Sequence, residues 1–143
     1  MYGSILVAVD GSEANKLAVD TAINLAKTQN ASLTAMCVFD MGSYSVMSYS
    51  ISDDKPLIDE MANNALAYAR QEAEKAGIKL ETKIAIGRPA DSIVKEAEAH
   101  DLVVCGTHGR TGFSHALIGS VAERIVRYSP CPVLIIRNPS EPQ

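Results

Sequence analysis

No stretch of this 143-residue sequence approaches the ~18 consecutive apolar residues that a bilayer-spanning helix needs. The opening Met1-Tyr-Gly-Ser4 leads directly into an apolar run, with neither the basic region nor the cleavage site of a signal peptide. A cytoplasmic protein that does not insert into membranes is therefore expected. Cysteine is scarce: Cys37, Cys105 and Cys131 are odd in number, widely spaced, and each in or beside an apolar stretch. That pattern excludes a zinc site and a disulfide framework and predicts buried, reduced thiols. Positive charge is not in excess either. A net charge of −4 argues against nucleic acid or anionic membrane as the main partner, although Arg110, Arg124, Arg127 and Arg137 crowd the C-terminal third.

What remains is an ordinary globular composition, 47% hydrophobic and 21% charged, in a length that suits one domain spanning residues 1–143. Ser4-Ile-Leu-Val-Ala-Val9 reads as a strand, closed by Asp10-Gly11-Ser12 as turn and helix cap. From Glu13 to Gln29 the positions Leu17, Ala18, Thr21, Ala22, Leu25 and Ala26 recur at helical spacing, with Asn30 as the stop. Ser32 to Val38 is a second strand. Residues 39–55 then lose all period, and this small-polar segment with its Met and Tyr residues reads as a flexible loop. It is either a lid over a ligand or a surface loop with incidental aromatics.

Pro56 opens a helix marked by Leu57, Met61, Ala65, Leu66, Ala69, Ala73 and Ala76 and stopped by Gly77. Ile78, Leu80, Thr82, Ile84 and Ile86 alternate with Lys79, Glu81, Lys83 and Ala85, the signature of a half-exposed strand towards a sheet edge. After the turn Gly87-Arg-Pro89, a helix from Ala90 to Ala99 rests on Ile93, Val94 and Ala97. Leu102-Val-Val-Cys105 is uniformly apolar, as a central parallel strand must be. Val121, Ala122, Ile125 and Val126 line a last helix, Cys131 to Ile136 form a last strand, and residues 137–143 read as a tail.

The alternation of strands and helices demands an α/β fold, a single doubly wound parallel sheet with helices on both faces. Ligands of such sheets bind outside the carboxyl ends of the strands, where strand order reverses. Two loops leave the most apolar strands at that end: Asp10-Gly11-Ser12, and the glycine-rich stretch after Cys105. Glycines admit close approach of backbone N–H groups to an anion, and a helix N-terminus adds donors and partial positive charge. A phosphate, carried on a nucleotide, is the economical ligand.

The stretch is not a P-loop, because Thr111 and Gly112 stand where that motif needs glycine and lysine, and Thr107 spoils the dinucleotide fingerprint. What is left is Gly106-x2-Gly109-x9-Gly119-Ser120. That spacing resembles the ATP-binding signature of the universal stress protein family. The opening Ile5 to Ser12, the turn Gly87-Arg-Pro89 and the closing Ser129-Pro-Cys-Pro-Val-Leu-Ile-Ile136 also fall where that family has them. The resemblance implies a Rossmann-like five-stranded sheet in the order 3-2-1-4-5, an ATP-binding regulatory or stress-response function, and ATP with Mg2+ as ligands. It implies that Gly106 and Gly109 bring donors to the phosphates and that Gly119 and Ser120 close the far side. Asp10 would face the ribose or Mg2+, and Val38 would hold the adenine edge through its main chain. Ala8, Val9, Cys105, His108 and Val121 would complete the wall, with Arg110 the nearest cation. It also implies a homodimer through the last strand, Val133 to Ile136, which is short, apolar and terminal enough to lie at a sheet edge.

Competing roles stand beside several of these. Asp10 could cap the first helix, and Ser120 with Glu123 has the spacing of a capping box. His108 and Arg110 could be solvated loop residues, and Gly112 could serve loop freedom alone. Phosphoryl transfer would need a lysine on the phosphates and well-anchored metal ligands. The glycine loop has no lysine, and no second acid follows the third or fourth strand. A binding protein, at most a slow ATPase, is the reading; the alternative is an interaction module of the same fold without nucleotide.

Overall fold

The structure is a computed structural model that describes residues 2–40, 55–107 and 118–137. Five strands, β1 (Ser4–Ala8), β2 (Ser32–Asp40), β3 (Leu80–Gly87), β4 (Leu102–Gly106) and β5 (Val133–Ile136), form one sheet in the order β3-β2-β1-β4-β5. Every pairing is parallel. Among the described residues four helices connect them: α1 (Lys16–Gln29), α2 (Lys55–Lys75), α3 (Pro89–Ala97) and α4 (Ser120–Tyr128). The chain winds outward from β1 to β3, returns to β4 on the other side of β1, and so reverses its order between β1 and β4. This is the α/β, Rossmann-like arrangement expected from the sequence.

Successive strand residues point to opposite faces, and two cores result. Ile5, Val7, Leu33, Ala35, Cys37, Phe39 and Val104 pack under α1 and α2. Leu6, Met36, Val103 and Cys105 pack under α3 and α4 with Ala90, Ile93, Ala122 and Ile125. β4 is buried along four of its five residues, because it has helices on both faces and strands on both edges. β3 and β5 are the sheet edges. Of the three cysteines, Cys37 and Cys105 are buried while Cys131 is half-buried, and none is in a disulfide. No helix among the described residues is long and apolar enough to cross a membrane.

Several boundaries differ from the sequence reading, each for a local reason. α1 starts at Lys16 rather than Glu13, because polar side chains in 10–15 first build a turn. Its buried face is Ala18, Val19, Ala22, Ile23 and Ala26, and Leu17 is left exposed. α2 likewise buries Ile58, Ala62 and Leu66 while Leu57 and Met61 face outward. In α4, Ala122 and Ile125 are buried and Val121 and Val126 exposed. β2 continues two residues beyond Val38, since Phe39 is needed in the core and Asp40 still pairs with Gly87. The expected 39–55 loop thus gives Phe39 and Asp40 to β2 and Lys55 to α2; its remainder lies outside the described residues, as does the tail beyond Arg137.

Helix ends follow the predicted stops. Asn30 takes the left-handed conformation, φ 53°, and Ala31 N–H reaches back to the Ala26 carbonyl at 2.9 Å. At the end of α2, Gly77 has φ 73° and Ile78 N–H donates to the Ala73 carbonyl at 2.9 Å. That bond ties Ile78 to the helix end, and β3 begins at Leu80 instead.

Candidate functional site

The carboxyl ends of β1 and β4 diverge at the point where strand order reverses. Their pairing stops at Val7 opposite Val104, after which Cys105 and Gly106 pair only with Ile135 and Ile136 of β5. A crevice opens there between the turn after β1 and the exit of β4.

On the β1 side, one carboxylate oxygen of Asp10 accepts the Ser12 N–H at 2.8 Å and the Ser12 hydroxyl at 2.6 Å. Ser12 Oγ in turn accepts the Asn15 N–H at 3.2 Å. Asp10 therefore organises its own turn rather than capping α1, whose N-cap is Asn15. Gly11 makes the turn possible: φ is +78°, and a Cβ there would stand 3.0 Å from Ala65 Cα on α2.

β2 outlasts β1 on its other side. The last bond between them in that direction runs from Val9 N–H to the Met36 carbonyl at 2.9 Å. Main-chain groups alternate sides along a strand, so Val38, two residues after Met36, directs its N–H and carbonyl past the end of β1 into the crevice. Asp40 closes the strand as a second carboxylate at this edge. Sequence reasoning searched only the third and fourth strands for a second acid and missed it; the buried Phe39 was the signal that β2 continues.

On the β4 side, Cys105 is buried and its thiol is pushed up to about 12 by that burial, so it forms a neutral wall and not a nucleophile. Thr107 is 5% exposed and fastened through its main chain. Its N–H donates to the Ile136 carbonyl at 3.1 Å, and its carbonyl accepts the Gly119 N–H at 2.7 Å. Gly119 is the N-cap of α4, with φ −69° and ψ 163°, and Ser120 is the first helical residue. The capping box is not formed, because Ser120 stands one position too late to cap. Glu123 instead pairs with Arg127 at 2.9 Å on the exposed side of the helix. The first N–H groups of α4 have no partner within the helix and point out of its amino end.

The structure thus brings Ala8, Val9, Asp10, Val38, Cys105, Gly106, Gly119 and Ser120 to the carboxyl end of the sheet. Val121 is on the exposed surface of α4. His108, Gly109 and Arg110 lie outside the described residues, as does Gly112. Among the described residues no three of His, Cys, Asp or Glu are grouped to hold a metal ion. A concavity of about 460 Å³ lined by Met36, Ala85, Ser92 and Lys95 lies elsewhere, between α3 and the β2–β3 edge. It is shallow and open, and the chemistry gathers at the strand ends instead.

The model of the universal stress protein family matches residues 1–137. A universal stress protein of Methanocaldococcus jannaschii is 36% identical over 145 residues, covering 99% of this chain and 85% of that one. The solved universal stress protein UspA from Lactobacillus plantarum is 31% identical with a TM-score of 0.74, covering 95% of this chain and 98% of its own. A universal stress protein solved in complex with cAMP is 31% identical, TM-score 0.71, over 94% of this chain and 97% of that one.

Proposed function

The chain belongs to the universal stress protein family, and from that premise we propose that it is an ATP-binding regulatory protein whose nucleotide occupancy alters the shape or partners of a homodimer. The observation that carries this reading is the 2.7 Å bond between Gly119 and Thr107, which joins the two ends of the glycine-rich segment at the reversal of strand order. Phosphates there meet the amino end of α4 and the backbone of the Gly106–Gly109 stretch. The main chain of Val38 takes the adenine edge, and Asp10 faces the ribose or the Mg2+ that accompanies ATP. Carboxylate oxygens suit that hard cation, and Asp10 and Asp40 supply them at this edge. A relative 31% identical that holds cAMP supports an adenine nucleotide as the ligand class.

Binding rather than turnover is the proposed activity. The glycine segment carries no lysine, and Cys105 beside it is held neutral. The dimer is proposed through β5, an edge strand whose Leu134 is exposed. The reading includes a cytoplasmic location.

Isothermal titration with Mg-ATP tests the nucleotide reading, and no binding at millimolar nucleotide overturns it. Gly109→Asp places a charge where phosphate must sit and abolishes binding. Light scattering at micromolar protein tests the dimer; the mass of a monomer refutes it.

A further inference from the structure

Asn15 occupies the N-cap of α1, where an asparagine side chain ordinarily accepts a hydrogen bond from a helical N–H. It makes no such bond. Its side-chain amide is turned back on β1: Nδ2 donates to the Ala8 carbonyl at 3.0 Å, and Oδ1 accepts the Asp10 N–H at 3.2 Å. The residue is 6% exposed, so its amide is all but withdrawn from water and depends on these partners.

The two groups it binds are the ones that the crevice would otherwise orphan. In the β1–β4 ladder the even-numbered residues of β1 face β4, as the Asp101 N–H bonded to the Ser4 carbonyl at 2.8 Å demonstrates. The Ala8 carbonyl and the Asp10 N–H are the next groups along that edge, and β4 has already parted from β1 after Val104. A neighbouring parallel strand would offer one donor to the carbonyl and one acceptor to the N–H. The Asn15 amide offers the same pair.

We propose that Asn15 is a positioning residue for the nucleotide: its amide replaces the missing rung of β4, which keeps the crevice open and fixes the main chain from which Asp10 reaches the ligand. This rests on the nucleotide reading above. Alanine at position 15 takes the Asn15 amide from the Ala8 carbonyl and the Asp10 N–H and lets the β1 end shift.

The test is a double-mutant cycle by Mg-ATP titration on the full chain, with Asn15→Ala, Asp10→Ala and the pair. Asn15→Ala is expected to weaken binding roughly tenfold, and to cost little more once Asp10 is gone. Additive losses, or unchanged affinity in Asn15→Ala, overturn the role. Amide exchange in the ligand-free protein supplies the second readout: exchange at Asp10 accelerates in Asn15→Ala while exchange at Leu6 does not. Equal acceleration at both sites means a general structural role and overturns the proposal. Should Asn15→Ala fail to fold, Asn15→Asp keeps the acceptor for Asp10 and removes the donor to Ala8, and the same cycle applies. A wild-type chain that binds no nucleotide removes the underlying reading, whereas a binding wild type with an unaffected variant removes the role of Asn15 alone.

Discussion

The N–H of Gly119 donates to the carbonyl of Thr107 at 2.7 Å, although eleven residues lie between them. Thr107 also ties β4 to the end of β5 through Ile136, so the exit of β4, the start of α4 and the last strand meet at this one buried residue.

Gly119→Pro removes this bond, because the φ of −69° at Gly119 already suits proline while the N–H is lost. The variant is expected to lose about 2 kcal/mol of stability and to bind Mg-ATP at least roughly tenfold more weakly. Gly119→Ala retains the donor and serves as the control in denaturation and titration. Equal defects in both variants would show that the donor is not what matters.

Gly11→Ala tests the turn after β1. The added Cβ meets Ala65 Cα at 3.0 Å on a backbone with φ +78°, so neither the space nor the conformation accommodates it. A destabilisation of about 2 kcal/mol is expected in urea denaturation. Wild-type stability in the variant would mean that α2 does not approach the turn this closely.

The pH dependence of stability has an identifiable contributor in Glu96. Burial alone would raise its pKa, but hydrogen bonds from His100 at 2.9 Å and Lys83 at 3.0 Å prevail and hold it below its ordinary value. A depressed carboxylate stabilises the fold above the ordinary pKa, and that contribution disappears as pH falls through the lower folded value. Glu96→Gln should therefore cost about 1 kcal/mol near neutrality, and its thermal midpoint should converge on that of the wild type as the pH falls from the ordinary carboxylate range through the lower folded value. A constant gap across that range would count against an ionic role.

Thiol labelling reads the burial of the cysteines. With its thiol pushed up to about 12, Cys105 stays protonated at neutral pH and reacts with iodoacetamide only through opening of the fold. Half-buried Cys131 should be labelled first at pH 8, and urea should expose all three. Early modification of Cys105 would contradict its placement in the core.

Much of the architecture was legible because the strands differ so clearly in pattern: β4 is uniformly apolar and central, β3 alternates and lies at an edge. In α1 and α2 the expected alanines and Leu66 are buried, but Leu17, Leu57 and Met61 were wrongly assigned to the core face, which holds Val19, Ile23, Ile58 and Ala62 instead. Both helices are rich in alanine, and small apolar residues at many positions blur the stripe that the larger Leu17 and Leu57 seemed to mark. The alternation of elements placed the ends of β1 and β4 at the reversal of strand order, but Asn15 and Asp40 were invisible. Asn15 fills a backbone slot that exists only because two strands part, and Asp40 reaches this end of the sheet only because β2 outlasts β1. No local pattern encodes either circumstance.

The central place of β1 also governs how the chain can be assembled. Ser4 is synthesised well before Asp101, which binds its N–H from 97 positions further along the chain. A nascent chain can complete β1, β2 and β3 with their two helices while one long edge of β1 waits unpaired. The core that holds Leu6 is completed only when Val103, Cys105, Ala122 and Ile125 arrive. Such late, non-local closure slows folding and leaves an open strand edge in the interim, so the half-made sheet is the form of this protein most exposed to aggregation.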